Sequence, residues 1–175
     1  VFHGDWGESF FLQQPVLDCI AQYFGPTLSL AILAQIFAVI LSIPLGILAA
    51  YYRGSAVDLA TVSVSLLGIA VPGFLLSMFL MLFFGVFLRL LPVAGYAPLS
   101  QGLWEHLRYL ILPALSLGLV QAAYITRMTR SAVLDVLYSN FIRTARAKGL
   151  RESAVVFRYA LKNAGPTILT VIGQS

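Results

Sequence analysis

Thirty consecutive residues, Leu59 to Leu88, carry no ionisable side chain. At 1.5 Å rise per residue, an unbroken helix of that length extends about 45 Å, half as long again as the roughly 30 Å hydrocarbon core of a bilayer. Such a run must tilt, bend or overhang the membrane. Between Asp18 and Arg53 nothing ionises except Cys19 and the tyrosines, and Thr27 to Tyr52 is long enough to cross with some tilt. A shorter uncharged run, Tyr109 to Thr126, sits between Arg108 and Arg127, and another begins at Asn163. With 59% of 175 residues hydrophobic and 10% charged, the chain has too little polar surface for a soluble globule. The expected fold is all-α, a polytopic transmembrane helical bundle forming one domain over residues 1–175. Its spans fall at about 27–52, 59–88 and 109–130, with a fourth starting near 163.

The eleven Lys and Arg residues assign an orientation, because basic loops stay cytoplasmic. Arg53 and the eight residues between Arg127 and Lys162 fall on one side, Arg89 and Arg108 on the other. Residues 1–23 and 89–108 are therefore expected outside, in the periplasm, and 53–58 and 131–162 in the cytoplasm. Phe2, Trp6, Phe10, Phe11, Tyr96, Trp104 and Tyr109 cluster in the outer segments, at headgroup level. Because the basic residues flank apolar spans, membrane lipid is an expected partner and nucleic acid is not. The lone Cys19 excludes an intrachain disulfide framework, and His3 and His106 are isolated, so no metal or cofactor is expected. The chain opens at Val1 and leaves thirteen residues after Lys162, which reads as a piece of a longer protein.

Pro72-Gly73 lies at the middle of the second run, where proline removes a backbone hydrogen bond and glycine permits close approach. A kink there either lines a pathway or serves helix packing, and Pro44-Leu45-Gly46 poses the same choice. Gln35 and Gln121 suit an interhelical hydrogen bond better than a pore lining. None of the three uncharged runs, Thr27 to Tyr52, Leu59 to Leu88 and Tyr109 to Thr126, carries Asp, Glu, Lys, Arg or His, the groups that ion-coupled transporters place at membrane depth. Neither Lys148 nor Lys162 follows a glycine, so a phosphate-binding G-x-x-x-x-G-K-[ST] loop is absent. If transport is powered, the ATPase is another chain and this one is not an enzyme.

The basic segment is more specific. Helix is expected past Arg127 and Arg130 through Leu137, with Ser139-Asn140 capping a new short helix and Gly149 closing it. Beyond it, Leu150, Ala154, Phe157 and Leu161 recur at helical spacing opposite Arg151, Arg158 and Lys162. Small side chains at Thr144, Ala145, Ala147 and Gly149 would let a partner approach the backbone, and Arg143, Arg146, Lys148 and Arg151 would meet its carboxylates. An interfacial helix on anionic lipid is the competing physical reading.

Arg143-Thr144-Ala145-Arg146-Ala147-Lys148-Gly149 resembles the EAA loop of bacterial ABC-transporter permeases, which docks on the ATPase subunit. Four further blocks, His3 to Phe10, Leu91 to Tyr96, Leu112 to Gly118 and Thr126 to Ser131, are similar to the dipeptide, oligopeptide, glutathione and nickel branch. The resemblance implies a type I importer permease of usually six spans in a prokaryotic inner membrane. It also implies a second homologous permease, two cytoplasmic ATPase subunits and a periplasmic or lipid-anchored substrate-binding protein as partners. Residues 140–162 would form the coupling loop, with Arg143, Thr144, Ala145, Arg146, Ala147, Lys148, Gly149 and Leu150 at the ATPase contact. The chain departs from the general motif in opening with Arg143-Thr144-Ala145 and in having Leu161-Lys162 where leucine-proline follows, leaving Pro166 to open the later helix. A secondary transporter or channel subunit, and a non-transporting membrane scaffold, are the rival functional classes.

Overall fold

The computed structural model describes residues 6–174; His3, Gly4 and Asp5 of the first motif block lie outside that range. Its first helix, α1 (Val16–Tyr51), begins well before Thr27. Pro15 precedes it, and Asp18 in the first turn complements the helix dipole. Pro26 and Pro44 both lie inside α1 without ending it. α2 (Ala56–Ala70) is capped by Ser55, whose hydroxyl accepts from the Asp58 amide. α3 (Gly73–Leu80) continues into a wider, π-helical stretch, Met81–Phe87. α4 (Leu103–Leu137) takes in His106 and Arg108, which the charge-free run had left outside. α5 (Asn140–Ala147) is followed by α6 (Glu152–Ala154), a π-helical stretch Val155–Ala160 and α7 (Leu161–Gln174).

The last three run on without a break, α7 beginning at Leu161, and Pro166 lies within α7 rather than at its opening. α1 and α4 are each long and apolar enough to cross a membrane. α2 with the stretch Gly73–Phe87 passes the same test only as a pair, bent by 100°. The one β feature among the described residues is an isolated antiparallel bridge between Glu8 and Pro15. The protein is a transmembrane bundle of helices.

What joins α1 to α4 is a row of small residues. Ala34, Ala38, Ser42, Gly46 and Ala50 recur every fourth position of α1 and all are buried. Ala114, Gly118, Ala122 and Thr126 do the same on α4. A β-carbon on Gly118 would lie 2.8 Å from the Ala34 carbonyl oxygen, and one on Gly46 would lie 2.7 Å from Thr129 Cβ and 2.8 Å from the Thr126 oxygen. Backbones this close gain dispersion contacts along the whole crossing, which matters in lipid, where apolar side chains gain little by leaving the solvent. At one end of the seam Ile47 and Ala50 of α1, Val133 and Leu137 of α4, Ile142 of α5 and Val156 form a single apolar core. Gln35 Nε2 donates to the Ile172 carbonyl at 3.2 Å, tying α7 to α1 by the interhelical bond expected of that glutamine.

Candidate functional site

Two residues, Tyr138 and Ser139, separate the end of α4 from α5. Ser139 is extended at the cap position, but its hydroxyl donates back to the Val136 carbonyl instead of capping α5. The far end of α5 is closed more firmly. Gly149 adopts φ +77°, its amide donates to the Arg146 carbonyl at 2.9 Å, and the Leu150 amide donates to the Ala145 carbonyl at 3.4 Å. That pair of bonds is a Schellman motif, and the left-handed conformation it needs is the reason for glycine there. A side chain at Gly149 would meet no atom within 4 Å, so the restriction is conformational, not steric.

α5 is seated by one face. Ile142 is fully buried in the apolar core and Ala145 is buried beside it. Arg143, Thr144, Arg146, Ala147, Lys148, Gly149 and Leu150 are exposed. The structure thus brings the eight motif residues together but separates their roles. Ala145, expected to admit a partner, faces its own chain, because three residues after Ile142 a side chain lies on the same side of a helix. Seven positions remain on the open side.

The angle of α5 is braced across the Gly149 turn. Arg146 Nε donates to Glu152 Oε2 at 3.0 Å and its Nη2 donates to Oε1, a forked pair on the surface. The Arg146 guanidinium holds the Glu152 carboxyl below the ordinary carboxylate range, against a smaller opposing effect of burial. Nearby, the Arg53 guanidinium lies 4.9 Å from the centre of the Tyr138 ring, linking the α1–α2 turn to the α4–α5 turn.

Pro72 and Gly73 sit at the 100° break. Val71 ends α2 in an extended conformation, as a residue before proline prefers, and Pro72 starts α3. Behind the break an apolar groove of about 330 Å³ runs between α1, α2, α3 and α4, lined among others by Leu41, Val64, Gly68, Val71, Leu119 and Ala123. Pro72 and Gly73 shape this groove without lining it; both are exposed.

One constellation escaped the sequence reading. Arg130 of α4 reaches Asp58 in the first turn of α2 with both prongs, Nε to Oδ1 at 2.5 Å and Nη2 to Oδ2 at 2.9 Å. The Gly54 amide also donates to Oδ2 at 2.9 Å, and Asp58 is 6% exposed. Seventy-two residues separate the partners. The only hint was that Asp58 and Arg130 fall at the same end of their respective runs.

Among the described residues no three His, Cys, Asp or Glu side chains gather as metal ligands would.

Comparison with known proteins agrees with this architecture. A probable peptide ABC transporter permease of Sinorhizobium fredii is 42% identical over 175 residues, all of this chain and 56% of the relative. A Brucella suis protein that carries a peptide transport system permease name is 44% identical over 173 residues, 99% of this chain and 55% of its own. The glutathione transport system permease protein GsiC of Shigella flexneri is 41% identical over 170 residues, 97% and 53% respectively. The chain thus spans about half the length of the curated relatives it matches. The family model described as binding-protein-dependent transport system inner membrane component matches residues 42–175. The chain belongs to that family, the inner-membrane permeases of ABC transport systems.

Proposed function

We propose that this chain is part of the translocation pathway of an ATP-driven importer for peptides or a related small substrate such as glutathione or nickel, and that α5 is where ATPase motion enters. The observation that carries the reading is α5 itself. It is a short basic helix held by Ile142 on one side and closed by Gly149, with Arg143, Arg146 and Lys148 left on the open side. A rigid, exposed, positively charged plug of this kind suits a cleft lined with carboxylates on a cytoplasmic ATPase.

In this reading residues 1–23 and 89–108 face the periplasm and 53–58 and 131–162 the cytoplasm. The partners are a second homologous permease, two ATPase subunits and a periplasmic or lipid-anchored binding protein. The chain hydrolyses nothing itself. Closure of the ATPases displaces α5, and α5 moves the bundle between inward-facing and outward-facing states. A differential contact of a few kcal/mol between two ATPase states is enough to shift such an equilibrium. The groove behind Pro72 and Gly73 supplies part of the pathway wall.

The test is co-purification of the full-length protein with its ATPases, and ATP-dependent uptake of labelled dipeptide and labelled glutathione into vesicles. Gly149→Asp should detach the ATPase or abolish uptake, because it brings a carboxylate to the docking face and replaces the residue that takes the left-handed conformation most freely. Ala145→Glu should do so by unseating α5, since its side chain has no room beneath the helix. ATPase association and uptake at wild-type level in both variants would sink the reading. Reversing Arg143 alone should matter less, since exposed ion pairs contribute only about 0–1 kcal/mol.

A further inference from the structure

We propose that the Asp58–Arg130 ion pair is the positioning link that carries movement of α4 into the bent pair α2–α3; the inference rests on reading α5 as the ATPase-docking helix. α4 leads into α5 through two residues and is packed backbone to backbone against α1. Whatever displaces α5 therefore displaces the α1–α4 pair together. α2 and α3 are attached far more sparsely. α2 buries only Asp58 and Ser65, and α3 buries nothing. Among their glycines the tightest approach to α4 is at Gly68, where a β-carbon would lie 2.9 Å from Ala123 Cβ. At the opposite end of α2 the tie is Arg130.

The geometry of that tie suits transmission of a rotation as well as a pull. A forked guanidinium–carboxylate pair fixes direction, and the Gly54 amide with the Ser55 cap fixes the carboxylate to the start of α2. Beside it lies a cavity of about 360 Å³, lined by Gly54, Ser55, Ala56, Leu59 and Val62, so apolar packing around the pair itself is incomplete. Simple stabilisation would be served as well by apolar residues of similar volume, because burying charge costs solvation that the pair only offsets. What apolar residues would not give is a directional joint. With one end of α2 held by Arg130 and the other ending at the 100° break, displacement of α4 turns α2 and opens or closes the groove at Val71.

The test uses the full-length protein in its complete complex in proteoliposomes, with labelled dipeptide and labelled glutathione as probes. Asp58→Asn and Arg130→Lys should assemble and hydrolyse ATP, while probe imported per ATP falls at least about tenfold. The exchange Asp58→Arg with Arg130→Asp should recover more than half of that ratio. Spin labels at Phe79 on α3 and Leu117 on α4 should report a nucleotide-dependent distance change in the parent that Arg130→Lys abolishes, whichever probe is carried. The inference is overturned if the ratio and the distance change survive in Arg130→Lys. It is equally overturned if hydrolysis and import decline together in step with the amount of assembled complex, the behaviour of a static staple. A parent complex that binds no ATPase through α5 would instead defeat the docking reading.

Discussion

α1 and α4 meet through a long seam of glycine and alanine, whereas α2 and α3 pack more sparsely, with a salt bridge near one end of α2 and a close approach at Gly68 near the other. In the first region backbone lies close to backbone, at Ala34 with Gly118 and at Gly46 with Thr126, and the Thr129 side chain closes over Gly46. In the second, Phe74, Met78 and Phe79 stand exposed and a single ion pair holds one end. The same chemistry, proline followed closely by glycine, has opposite outcomes in the two. Pro44-Leu45-Gly46 stays within a continuous helix, its glycine packed under Thr129, whereas Pro72-Gly73 follows an exposed Val71 that takes the extended conformation a residue before proline prefers. Tight packing can carry a helix through a proline that elsewhere ends one.

Matched substitutions in the two regions test that contrast. Gly46→Ala should be the most damaging, costing about 3 kcal/mol, because the new methyl meets backbone on the opposite helix and neither helix can retreat. Thermal unfolding of the full-length protein in detergent should show it, and an unchanged midpoint would mean that the α1–α4 seam is no tighter than the packing of α2. Gly68→Ala should cost about 1 kcal/mol in the same assay, because the methyl meets only the Ala123 side chain and α2 is free to shift outward. Next, Pro72→Ala should lengthen the distance between spin labels at Val64 and Phe79 as the bend relaxes, whereas Pro44→Ala should leave the path of α1 unchanged. Equal responses at the two prolines would show that the local motif governs both.

The smallest effect concerns Arg146 and Glu152. Because the folded carboxyl titrates below its ordinary value, the pair adds stability above about pH 4.5 and loses it as the pH falls through the lowered value. Both side chains are substantially exposed, so the contribution is at most about 1 kcal/mol. Acid titration of the melting midpoint should show a small drop that Glu152→Gln removes.

Much of this was legible in the amino-acid order for physical reasons. A run without charge declares a membrane helix because lipid penalises charge, and a positive-φ site such as Gly149 declares itself because other residues are strained there. The helix ends were harder to place. α4 starts at Leu103 and takes in His106, whose ring finds a local partner, with Nδ1 2.7 Å from the Ala97 carbonyl, so a polar residue sits buried inside a helix that the charge pattern would exclude it from. The period of four in Ala34, Ala38, Ser42, Gly46 and Ala50 was present in the letters but hidden, since in a uniformly apolar segment hydrophobicity does not mark a face and only side-chain size does. Ala145 was ambiguous in the letters for a related reason: a small residue admits a neighbour from whichever side the helix turns it to. Asp58 and Arg130 were out of reach, because pairing across seventy-two residues exists only once α2 and α4 have been placed side by side.

The seam between α1 and α4 has two tight places, one at Gly118 and one opposite Gly46 near Thr126, roughly 12 Å apart along α4 at 1.5 Å per residue. A beam pinned once can swing; pinned twice, it cannot. These two helices are thereby denied a scissoring motion and must travel as a single plank, so any alternation of this subunit between shapes has to be taken up where the carpentry is loose, along the broken helix beside them.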